Sequence, residues 1–126
     1  MEILIVDSSI HIIERLEEIL SESGNIYTIH KAVSYAEAKM IFNKIEPDFV
    51  LLDDGLPGSE SFKILREIRK ITRKSFVIML TSGTPKYIKD EYTFVKADFL
   101  FDKYYDFEKI CDFINTVGHA HENANL

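Results

Sequence analysis

Four unbroken apolar runs punctuate the chain: Ile3 to Val6, Phe49 to Leu52, Phe76 to Leu80 and Phe99 to Phe101. Runs this short read as strands of a parallel sheet covered on both faces, because a strand with one wet face alternates apolar with polar residues. A weaker strand is expected over Tyr27 to Lys31. Between the strands, apolar residues recur at spacings of three and four, the period of an amphipathic helix. They mark five helices, carrying Ile12, Ile13, Leu16, Ile19 and Leu20; Ala38, Ile41, Phe42 and Ile45; Phe62, Leu65, Ile68 and Ile71; Ile88, Tyr92 and Val95; and Ile110, Phe113, Ile114 and Val117. Asp7, Ser8 and Ser9 offer capping groups to the first helix, which Gly24 and Asn25 end, and Ser34 with Glu37 has capping-box spacing for the second. Pro47 breaks the second helix, Gly55, Pro57 and Gly58 form a loop after Asp53, and Ser82, Gly83 and Pro85 precede the fourth helix.

Five strands alternating with five helices predict a doubly wound α/β domain, since right-handed crossovers place helices on both faces of a parallel sheet. With strand order 2-1-3-4-5 the topological switch point falls between the first and third strands, so Asp7 and Asp53 meet at the crevice there. Residues 1–118 make the domain; the tail, 119–126, shows no periodicity and is expected to fray. The 126 residues suit one core, and the net charge of -6 argues against direct nucleic-acid binding. Cys111 stands alone, which excludes an intrachain disulfide and fits a cytoplasmic setting, and neither a membrane span nor a secretion signal is evident.

Each apolar run ends at a residue suited to phosphoryl chemistry: Asp7, Asp53, Thr81 and, shortly after the last run, Lys103. All four fall on the carboxyl edge of the sheet, where open α/β folds bind ligands. Two carboxylates in one crevice repel each other, and a hard divalent ion such as magnesium relieves that repulsion while keeping several waters. Asp53 would then act as nucleophile toward a phosphoryl donor, with Lys103 neutralising charge and the Thr81 hydroxyl donating to a phosphoryl oxygen. Taken singly, Asp7 could cap a helix, Thr81 could be a strand-end hydroxyl and Lys103 a solvated lysine; their joint position on one rim favours the functional reading.

The segments Ile3-Leu4-Ile5-Val6-Asp7, Pro47-Asp48-Phe49-Val50-Leu51-Leu52-Asp53, Leu56-Pro57-Gly58, Val77-Ile78-Met79-Leu80-Thr81 and Ala97-Asp98-Phe99-Leu100-Phe101-Asp102-Lys103 occur in one order along the chain. In this the chain resembles the receiver domains of two-component response regulators, of the stand-alone type. The resemblance implies a flavodoxin-like three-layer α/β/α fold with Asp53 as phosphoacceptor and Thr81 and Lys103 as switch hydroxyl and phosphate-binding lysine. It also implies a magnesium site of Asp7, Asp53 and the Gly55 backbone carbonyl, with Ser8 or Asp54 contributing through water. Partners would be a histidine kinase or phosphotransfer protein and an output protein bound in trans on the face of the fourth helix, fifth strand and fifth helix, where Tyr87, Tyr92, Tyr104 and Tyr105 cluster. A homodimer is left open.

Several positions depart from the family pattern. Ser8 stands where a second acid is usual, which weakens magnesium binding. Leu100 stands where a tyrosine or phenylalanine is usual, so any aromatic coupling to Thr81 falls to Phe99 or Phe101. Tyr104, Ser61 and Lys96 replace a proline, a loop glycine and a second glycine. Gly55 and Gly83 give no side chain to orient a hydrolytic water, so self-dephosphorylation is expected to proceed unassisted. The rival reading is a receiver-like binding or dimerisation module independent of phosphorylation. An aspartate-nucleophile phosphatase is disfavoured by Gly55, and a flavin protein by the lack of tryptophan.

Overall fold

The computed structural model describes residues 1–71, 74–82 and 97–124. In chain order these form β1 (Glu2–Val6), α1 (Ile10–Glu22), β2 (Thr28–Ala32), α2 (Tyr35–Phe42), β3 (Phe49–Asp53), α3 (Glu60–Ile71), β4 (Phe76–Thr81), β5 (Phe99–Asp102) and α4 (Phe107–Ala124). The expected helix around Ile88, Tyr92 and Val95, with Gly83 and Tyr87, lies outside the described residues.

All five strands pair in parallel in the order β2-β1-β3-β4-β5, as the switch-point reasoning anticipates. Side chains alternate across the sheet and build two cores. Leu4, Val6, Val50, Leu52, Val77 and Met79 pack with Ala38 and Phe42 of α2 and Ile64, Leu65 and Ile68 of α3. Ile3, Ile5, Phe49, Leu51, Ile78 and Leu80 pack with Ile13, Leu16 and Leu20 of α1 and Ile110 and Ile114 of α4. Each such aliphatic side chain removed from water stabilises the fold by about 1.5–3 kcal/mol before entropy is counted, which explains why the strands read as continuous apolar runs.

The ends of the elements have local causes. Gly24 takes a φ of 82° just past α1, a left-handed conformation that glycine adopts without a Cβ penalty. The Ser34 hydroxyl accepts from the Glu37 amide at 3.3 Å, and Glu37 Oε2 accepts from the Val33 amide at 2.8 Å, so the predicted capping box forms with its return bond one residue early. One expectation needs correction. The hydroxyl of Ser9, the residue preceding α1, makes no capping bond, because Asp7 Oδ1 instead accepts from the Ser9 amide at 2.8 Å. Beyond residue 118, α4 continues to Ala124. Gly118 lies inside this helix beside Met1, whose Sδ would be 2.8 Å from a Cβ added there.

At the sheet edge remote from Asp53, Asp98 ties β4, β5 and α3 together. Its Oδ2 accepts from the Val77 amide at 2.7 Å and from Arg69 Nη2 at 2.5 Å, while Arg69 Nη1 donates to the Ser75 carbonyl at 2.6 Å. This network fixes the register of β5, an edge strand with only β4 beside it.

Candidate functional site

The carboxyl ends of β1, β3 and β5 bring Asp7, Asp53 and Lys103 into one buried group. Asp7 is 0% exposed, Asp53 1% and Lys103 7%. Lys103 Nζ lies 3.2 Å from Asp53 Oδ1 and 3.4 Å from Asp7 Oδ2, so one ammonium serves both carboxylates. The three residues are far apart in sequence, and only the parallel order of the sheet unites them.

Every part of Asp53 is held. Its Oδ1 also accepts from the Gly55 amide at 3.0 Å, and its Oδ2 lies at hydrogen-bond distance, 3.5 Å, from Ser8 Oγ. A Cβ on residue 55 would come within 3.3 Å of Asp53 Oδ1, so glycine lets the loop backbone close over the carboxylate. The Asp53 carbonyl accepts from the Ser61 hydroxyl at 2.5 Å. Asp7 is anchored by its own amide, which donates to the Ala32 carbonyl at 3.1 Å.

The electrostatics follow from this burial. Desolvation pushes the Asp7 carboxyl above its ordinary range; the nearby Asp53 carboxylate pushes the same way, against the Ser9 amide and Lys103. For Lys103, burial works against the charge, but the Asp7 and Asp53 carboxylates outweigh it and lift the ammonium above the ordinary lysine value. One ammonium, that of Lys103, thus faces two acidic side chains.

Thr81 sits on the same rim, buried, at the end of β4. Its carbonyl accepts from the Lys103 amide at 2.8 Å, and the Asp54 amide donates to the Leu80 carbonyl at 3.0 Å, so the two loops beside Asp53 are stitched to β4. Leu100, like Phe62 and Ala97, packs against the core on the α2 and α3 side of the sheet. Phe101 lies on the other side, and the Phe99 and Phe101 rings meet Phe113 of α4 at 4.2 and 5.9 Å. Strand alternation puts Thr81 on the Leu100 side, with Val77 and Met79. Neither phenylalanine therefore takes the place of the missing aromatic residue.

Hard oxygen donors dominate the pocket, which suits magnesium, and the Asp7 to Asp53 repulsion supplies a reason to bind a cation. Among the described residues no group of three or more His, Cys, Asp or Glu side chains is placed to hold a metal. Such an ion would be held by the Asp7 and Asp53 carboxylates, with the Ser8 hydroxyl beside Asp53.

Ser61 is the site residue that sequence reasoning missed. The sequence marks it only as the replacement of a loop glycine, but it lies in the first turn of α3, 2% exposed. The readable signal is a small hydroxyl eight residues after Asp53 on the buried face of the helical pattern; nothing local indicates that it reaches back to the strand.

Comparison with known proteins agrees with the fold. The family model for the response regulator receiver domain matches residues 3–115. The chain is 35% identical over 81 residues to sporulation initiation phosphotransferase F of Bacillus subtilis, an alignment covering 64% of each protein. It is 28% identical over 108 residues to protein-glutamate methylesterase/protein-glutamine glutaminase 2 of Photobacterium profundum, covering 84% of this chain and 27% of that protein. The chain thus spans less than two thirds of the length of these two curated relatives. The crystal structure of a response regulator receiver domain protein from Clostridium thermocellum superposes with a TM-score of 0.82 at 25% identity, over 98% of both chains.

Proposed function

Because this chain belongs to the response regulator receiver domain family of two-component signalling, we propose that Asp53 accepts a phosphoryl group from a phosphohistidine donor, a histidine kinase or phosphotransfer protein. The observation that carries this reading is the Lys103 ammonium held between the two buried carboxylates. A nucleophilic aspartate needs its charge compensated until it attacks, and the incoming phosphoryl oxygens need a cation already in place.

In the proposed step an Asp53 carboxylate oxygen forms a bond to phosphorus as the bond from phosphorus to the donor imidazole breaks. The freed histidine keeps the electron pair and takes a proton from water. Lys103 turns part of its interaction from the carboxylates to the phosphoryl oxygens, and Thr81 donates its hydroxyl to another. Asp7, Asp53 and the Gly55 carbonyl would hold magnesium, with Ser8 or Asp54 reaching it through water; when bound, the ion supplies charge neutralisation at the transferring group. New phosphoryl contacts to Thr81 and Lys103 would shift a two-state equilibrium and change partner binding in trans. The output surface proposed is the exposed side of β5 and α4, where Tyr104 and Tyr105 are 56% and 88% exposed. Among the described residues no helix is long and apolar enough to cross a membrane, and a cytoplasmic site of action follows from the proposed donors.

Family membership and the retained Asp7, Asp53 and Lys103 group favour this over a docking module independent of phosphorylation. Incubation with acetyl phosphate and magnesium should add one phosphoryl group by intact mass, stable to acid, labile to base and absent in Asp53→Asn. An unmodified wild-type protein, at any donor or magnesium concentration, would overturn the proposal.

A further inference from the structure

We propose that Ser61 is a positioning residue for phosphoryl transfer, holding the main chain of the phosphoacceptor through its hydroxyl; this rests on Asp53 being the acceptor. Three groups hold the Asp53 side chain: Lys103, the Gly55 amide and Ser8. Beyond its strand pairing with β4, its main chain is held by Ser61 Oγ, which donates to the Asp53 carbonyl at 2.5 Å from a side chain only 2% exposed.

That bond closes a loop. Residues 54 to 59 leave the end of β3 and return as α3, and the Ser61 hydroxyl fastens the first turn of the helix to the last carbonyl of the strand. Gly55, whose amide contacts the carboxylate, lies inside the tied segment. The left-handed Gly58, with a φ of 61° and nothing within 4 Å of a notional Cβ, gives the segment its only turn with such freedom among the described residues. Conformational freedom there is thus bounded on one side by the sheet and on the other by a buried hydrogen bond. A buried carbonyl deprived of its donor recovers a partner only by moving. Such movement would shift the tied loop, and with it the Gly55 amide that holds Asp53 Oδ1, and so loosen the alignment of the carboxylate with Lys103. Small displacements of reacting groups are costly in rate even when binding is unchanged.

A purely structural role for Ser61 would lower stability and leave the chemistry of the folded fraction alone. The positioning role predicts the reverse emphasis. Ser61→Ala and Ser61→Gly both delete the hydroxyl but differ in volume and backbone freedom, and Ser61→Thr restores it. With acetyl phosphate as donor and saturating magnesium, both deletions should lower the phosphorylation rate constant per folded molecule by about tenfold. The magnesium concentration giving half-maximal rate should stay within about twofold of wild type, since neither deletion removes a carboxylate. With the Asp53 carbonyl labelled with carbon-13, both deletions should shift its resonance upfield before any donor is added, and Ser61→Thr, if folded, should restore both shift and rate. Wild-type rates in both deletion variants, or an unmoved carbonyl resonance, would overturn the positioning role while leaving the acceptor assignment intact. Absence of phosphorylation in wild type would instead remove the reading beneath it.

Discussion

Replacing Lys103 with methionine takes the ammonium from between two carboxylates while keeping most of the volume of its stem. At an effective dielectric of about 20, each contact, at 3.2 and 3.4 Å, is an attraction of about 5 kcal/mol before the cost of desolvation is subtracted. Removing one partner of a buried pair typically destabilises by about 3–5 kcal/mol, because the remaining charge is left without compensation. Here two charges are left, both almost fully buried, and they repel each other. The variant limits its loss by protonation: Asp7 already sits above the ordinary carboxyl value, and without Lys103 it rises further.

The pH dependence follows from that protonation. A carboxyl whose folded pKa is raised binds more protons folded than unfolded, so its contribution worsens as pH rises from 3.8 through the raised value and vanishes below 3.8. The stability gap between wild type and Lys103→Met should therefore be small in acid, widen toward neutrality and then level off. Lys103 itself, raised by its partners, contributes stability that is complete below 10.5 and is lost as pH climbs through its folded value; the variant should lack this alkaline loss. Urea titrations followed by far-ultraviolet circular dichroism, needed because the chain has no tryptophan, give the midpoint shifts. Asp7→Asn in the Lys103→Met background should recover about half of the loss by removing the repulsion. A loss below about 1 kcal/mol that is flat in pH would place the group in the solvated, surface regime and refute the reasoning.

Three further expectations concern other parts of the molecule. Ser8→Asp adds a third carboxylate beside Asp53 and should tighten magnesium about tenfold by calorimetry; unchanged affinity would mean that Ser8 does not face the ion. Asp98→Ala removes the acceptor of the Val77 amide and of Arg69, and should cost about 1–3 kcal/mol in urea without altering phosphorylation of Asp53; a matching drop in labelling rate would show that the remote edge is coupled to the site. Gly118→Ala should raise the thermal midpoint, since alanine gains about 1 kcal/mol in a helix interior and the obstructing atom is the flexible Met1 thioether; a lowered midpoint would show that Met1 cannot move aside.

Much of this molecule is legible in its chain because the relevant physics is local. Short continuous apolar runs flanked by polar residues read as strands of a doubly covered sheet, and β3 and β4 fall where the runs predict, at Phe49–Asp53 and Phe76–Thr81. The strand ends locate Asp7, Asp53, Thr81 and Lys103, since the carboxyl edge of a parallel sheet follows from chain direction alone. What needed the tertiary structure is contact across elements. No periodicity says that one ammonium bridges both acids, that Gly55 offers its amide to Asp53, or that the face bearing Leu100 excludes Phe99 and Phe101 from Thr81. Ser61 shows the boundary most clearly. Its place on a helix follows from neighbours three and four residues away, whereas its partner, the Asp53 carbonyl, is set by how α3 returns to the sheet, a property of packing that no single segment encodes.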